Sequence, residues 1–114
     1  MTQADISTTI CTSGYTATVR PPVAATGRLK KQMYKAYGIA DGTVSELDHL
    51  VPLELGGAND AANLWPEVGS IPNPKDKVEA ALNRAVCSGR VLLAAAQRAI
   101  AADWITAERA LGLA

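Results

Sequence analysis

The stretch from Glu46 to Pro66, ELDHLVPLELGGANDAANLWP, decides how this chain is read. Ser45 to Val51 alternates in polarity and stops at Pro52, the pattern of a short strand with Asp48 and His49 near its end. Gly56 and Gly57 break any regular element, and Asn59 and Asp60 suit a turn cap. Asn63-Leu64-Trp65 then predicts a second strand returning along the first. Together these residues describe a long-looped hairpin with a carboxylate and an imidazole side by side at one end.

Working outward, Pro66 to Pro74 is a loop of Gly, Ser, Pro and Asn. From Lys75 the apolar positions Val78, Ala81, Leu82, Ala85 and Val86 recur at helical spacing, with Asn73 placed as N-cap, Pro74 at the first helical position and Gly89 as the stop. A last helix from about Val91 carries Leu93, Ala96, Ile100 and Trp104 on one stripe. Before the hairpin, GRLKKQMYKAYG predicts a helix with Leu29, Met33, Ala36 and Tyr37 on one face, ending at Gly38. Residues 1–26, rich in Thr, Ser and Ala with Pro21 and Pro22, read as an extended arm with one short strand, Tyr15 to Val19. Residues 27–114 then form a single α+β domain, helix-rich overall, with one helix before the hairpin and one or two after it.

A chain of 114 residues, 48% apolar, suffices for one modest core. That apolar content leans on alanine, with no Phe, two Trp and three Tyr, which favours closely spaced helices over an aromatic-rich sandwich. Eleven basic and eleven acidic residues cancel, which argues against nucleic-acid binding by bulk charge alone. The first 40 residues nevertheless carry Arg20, Arg28, Lys30, Lys31 and Lys35 against Asp5, a balance of +4, so the remainder sums to −4. No stretch reaches the roughly 18 apolar residues of a membrane span. Met1 to Ser7 lacks the basic start and apolar block of a signal peptide, and Met1 is compatible with a start that replaces a removed leader. Cys11 and Cys87 belong to no CxxC pair, which excludes a zinc ribbon. They read either as a disulfide or as two buried thiols.

The order of parts, Asp48-His49 at a strand end, Pro52, Gly56-Gly57, Asn63-Leu64 in a returning strand and a helix starting near Asn73, resembles the HNH nucleases, the ββα-metal superfamily. The resemblance covers about a third of the chain. The flanking ICTSG, VRPP, NLWP, KDKVE and VCSG look like a subgroup of small, often exported bacterial HNH proteins, and that narrower likeness favours the Cys11–Cys87 disulfide and an extracytoplasmic or secreted home.

What the resemblance implies is an endonuclease hydrolysing phosphodiester bonds, in DNA more than RNA, with little sequence preference. A phosphodiester is anionic with a poor leaving group, so water must be activated while developing charge is neutralised. His49, the single histidine, is the expected general base. Asp48 is the expected metal ligand, and Asn63, the middle letter of the motif, ties the loop and holds the histidine, with Asn59 as its rival. The chain departs from the family at the third letter, since no second histidine exists. Asn73 would supply that ligand in an H-N-N variant, against the competing role of N-cap. Oxygen ligands suit one Mg²⁺ or Mn²⁺ better than Zn²⁺. Arg20, Lys75 and Lys77 are the expected phosphate contacts, the lysines beside a helix N-terminus. Glu79 reads either as an outer-shell partner of the metal or as a solvent-facing side chain. A monomer is expected, with an inhibitor or immunity protein as a further partner if the nuclease is a delivered toxin. The alternative is a non-catalytic metal-binding module for nucleic acid or protein, descended from such a nuclease.

Overall fold

A computed structural model describes residues 1–20, 23–38, 45–68 and 74–113. It is a mixed structure of helices and one two-stranded antiparallel sheet. Helices α1 (Tyr15–Val19) and α2 (Val23–Tyr37) precede strands β1 (Ser45–His49) and β2 (Leu64–Val68), and α3 (Lys75–Cys87), α4 (Leu93–Ala102) and the single turn α5 (Ala107–Ala110) follow. The hairpin register sets Asp48 opposite Trp65 and His49 opposite Leu64.

Beyond His49 the loop is closed by its own backbone and by one amide side chain. Leu50 N–H donates to the Asn63 carbonyl at 2.8 Å. The Asn63 side chain accepts from Val51 N–H at 3.0 Å and donates to the carbonyls of Val51 and Ala58 at 2.9 and 2.8 Å. Three backbone groups that would otherwise lack partners are satisfied by one residue. Gly56 takes a left-handed φ of 76°. A Cβ on Gly57 would lie 1.7 Å from the Val51 carbonyl oxygen, so only glycine lets the loop close there.

The core lies between α3, α4 and α5, where Leu82, Val86, Leu93, Ala96, Ile100 and Ala107 are buried together with Leu55 from the loop. Each large aliphatic side chain buried there contributes about 1.5–3 kcal/mol of transfer free energy, and the alanines let the helices approach closely. Gln97 on α4 donates to the Leu55 carbonyl at 2.8 Å, tying the loop to the helical layer.

The first 20 residues do not form an extended arm. Gln3–Thr8 is a 3-10 turn, and Tyr15–Val19, expected as a strand, is helical. The alternation in YTATV is too short to specify a strand without a neighbouring edge to pair with, and Gly14, at φ 82°, redirects the chain into a helical turn instead. Ile10 is buried in the core. Asn83 of α3 donates to the carbonyls of both Ile10 and Glu54, and the Gln3 side chain accepts from Leu93 N–H at 2.7 Å. Cys11 and Cys87 form a disulfide across a Cα–Cα distance of 5.5 Å, fastening this segment to the end of α3.

Helix α2 begins at Val23, earlier than the expected Gly27, and among its described side chains Met33 and Tyr34 are buried. Ala36 and Tyr37, expected on the inner face, are exposed, Tyr37 by 60%. Helix α2 packs against β2. Trp104 lies past the end of α4, half-buried against the core.

Candidate active site at the end of the hairpin

At the end of β1 two consecutive side chains meet different surroundings, as the pleat requires. Asp48 is buried: its Oδ2 accepts from the Lys75 ammonium at 2.7 Å and from the Trp65 indole N–H at 3.2 Å. His49 is half-buried. Its Nε2 lies 2.8 Å from Oδ1 of Asn59, whose amide nitrogen donates to the Val19 carbonyl at 2.8 Å. The donation to Val19 fixes the oxygen of Asn59 toward the ring. With that orientation of the amide the contact is a hydrogen bond when the proton is on Nε2, the tautomer whose lone pair lies on Nδ1.

The residue that touches the histidine is thus Asn59, the rival, while Asn63 ties the loop one residue beyond it. Both amides sit in the same loop, and nothing in their local sequence separates a side chain that closes the loop from one that spans it to α1.

Asp48 and His49 share a cleft of about 120 Å³ with Arg20, Pro52, Leu53, Glu54, Asp76 and Glu79. Arg20, expected as a phosphate contact, is brought to this cleft by the helical turn of α1. Glu79 is only 6% exposed, so it is not a solvent-facing side chain. Burial pushes its carboxyl up to about 8, with Asp48, Glu54 and Asp76 adding to the rise and Lys75 opposing it. Glu54 is also raised, by burial first and by Asp76 next. The cleft consequently carries less negative charge near neutral pH than its number of carboxyl groups suggests.

Lys75 is the largest departure from expectation. Expected at the surface against phosphate, it is 2% exposed, with its ammonium also donating to the carbonyls of His49 at 2.5 Å and Leu50 at 3.3 Å. Glu79 follows one helical turn later, 3.7 Å from the same nitrogen. Lys77 is exposed on α3, as expected. Asn73 lies outside the described residues, and with it the proposed third letter of the motif.

Among the described residues the donors around Asp48 do not make up a site for a divalent cation. Among the described residues no group of three or more His, Cys, Asp and Glu side chains is arranged to hold a metal ion. Of the two oxygens of Asp48, the expected ligand, Oδ2 already accepts from an ammonium and an indole N–H.

Comparison with family models, with curated proteins and with solved structures finds no match to this chain. The HNH likeness accordingly rests on the motif residues themselves. No helix among the described residues is long and apolar enough to cross a membrane.

Proposed function

We propose that the chain is a phosphodiester hydrolase of the HNH type, in which β1, β2 and α3 make the ββα element and His49 is the general base. The observation that carries this reading is the setting of His49: a lone imidazole, oriented through Nε2 by Asn59, at a polar cleft lined also by Arg20. In this reading a backbone phosphate enters the cleft against Arg20, and exposed Lys77 holds the strand beside it. Water between phosphorus and His49 loses its proton to the ring as it attacks, and the phosphorane collapses by breaking the bond to the leaving sugar oxygen, which takes up a proton from solvent. Contacts to phosphate rather than to base edges give little sequence preference. DNA is the proposed substrate ahead of RNA, and a disulfide-bonded nuclease of this size suits an extracytoplasmic setting.

The test is cleavage of supercoiled plasmid, single-stranded DNA and RNA, with Mg²⁺ or Mn²⁺ and with chelator. Wild-type protein is expected to nick at least one substrate, and His49→Ala to lower that rate by about 100-fold or more. Equal rates for wild type and His49→Ala would overturn the assignment.

A second reading, a binding module derived from such a nuclease, is favoured by one specific observation: the expected metal ligand Asp48 is neutralised from within by Lys75. Binding of DNA or RNA without hydrolysis of either under any of these conditions would select it.

A further inference from the structure

The cation at the end of β1 is a side chain of the protein. We propose that Lys75 is the resident cation of Asp48, closing that carboxylate to divalent metal and taking the place that the HNH resemblance gives to the ion.

The geometry is that of a coordinated charge. An ammonium has three donors and no acceptor, and Lys75 directs its nitrogen at Asp48 Oδ2, the His49 carbonyl and the Leu50 carbonyl. All three oxygens come from consecutive residues at the point where the hairpin ends. The charge is supplied from the first turn of α3, so one side chain fixes helix to strand and neutralises the carboxylate at once. This is the junction at which a metal joins the corresponding parts in the family.

A divalent ion bound to the same carboxylate would sit about 2.0–2.6 Å from its oxygen. The Lys75 nitrogen is 2.7 Å from Oδ2. Two cations would then share one carboxylate at a place where Asp48 and Lys75 are 4% and 2% exposed and water screens little. Moving Lys75 aside does not resolve the conflict, because its stem is enclosed and the His49 and Leu50 carbonyls would lose the donor they now have.

Lys75 does not touch substrate in this arrangement. Its action on the proposed chemistry is through Asp48 and through the backbone that carries His49, and that consequence rests on the nuclease reading. The charge assignment itself does not.

The experiment is a Mg²⁺ titration of the whole oxidised protein, followed by NMR at the Lys75 ammonium and at the backbone amides of His49 and Leu50, in wild type and in Asp48→Asn. No substrate is present, so failure of the nuclease reading leaves the result unaffected. The expected result is no saturable shift at these signals up to millimolar Mg²⁺, with the Lys75 ammonium visible through slow exchange. Saturable shifts that persist unchanged in Asp48→Asn also support the proposal, since the ion is then held elsewhere. Saturable shifts in wild type that vanish in Asp48→Asn overturn it.

Discussion

Around Leu82 and Val86 the chain excludes water with aliphatic side chains and alanines, whereas around Asp48 and Lys75 it does so with opposite charges. Both regions are closed to solvent, yet they tolerate change differently. In the helical half a truncation costs in proportion to the volume removed and largely regardless of pH. In the hairpin half Asp48, Asn63 and Lys75 each have a named partner, and removing one strands the other in a place where water cannot readily replace it.

The largest expected effect falls on the helical half. Cys11 and Cys87 close a loop 76 residues apart in sequence, for which the chain-entropy model gives about 4 kcal/mol. Cys11→Ser/Cys87→Ser is expected to lower stability by that order in urea unfolding. An unchanged midpoint would show that Ile10 and Asn83 anchor the N-terminal segment without the covalent link.

Next comes the buried pair. Lys75→Met is expected to destabilise by about 3 kcal/mol because it leaves Asp48 buried without its ion-pair partner, and Asp48→Asn/Lys75→Met is expected to recover much of that loss. Lys77→Met, two residues away but exposed, serves as the reference and should cost almost nothing. Equal effects of Lys75→Met and Lys77→Met would erase the contrast between the two halves.

The smallest effect is a pH dependence confined to the hairpin half. Glu79 ordinarily titrates near 4.5, and burial raises it to about 8 in the folded state. The folded protein therefore holds an extra proton between those values, and this group's contribution to stability is full below about 4.5 and lost as the pH rises through about 8. Glu79→Gln should match wild type in acid and exceed it above about pH 8 by something on the order of 2 kcal/mol, the full linkage value being cut because water in the adjoining cleft screens the ionised carboxylate. Thermal unfolding across that range measures the difference. A gap that does not widen with pH would place Glu79 in water.

The hairpin was legible because alternation, Pro52 and the paired glycines are local signals, and α3 and α4 because their apolar period survives over more than two turns. The first 20 residues were not, since a five-residue run of Thr, Ala and Val has no period of its own and takes its form from Gly14, Ile10 and the disulfide. Of the site, His49 and Asp48 could be placed from the motif, and Arg20 was singled out though not located. Lys75 could not be placed. Within KDK, Lys75 and Lys77 look alike, and only the docking of the hairpin against the first turn of α3 decides that one is interior and the other exposed. That Asn63 ties the loop was legible, whereas the contact of Asn59 with His49 was not, for a similar reason: reaching Val19 is a property of the folded chain, 40 residues apart in sequence.

The Cys11–Cys87 bond has a topological consequence as well. It turns everything from residue 11 to residue 87 into a covalent ring that contains both strands, Asp48, His49 and Lys75. A protease that cuts the backbone once anywhere inside that ring opens it without separating it into pieces, and the two new ends stay on one molecule until sulfur is reduced. Nicking and dissociation are therefore distinct events for this protein, and the second is under redox control.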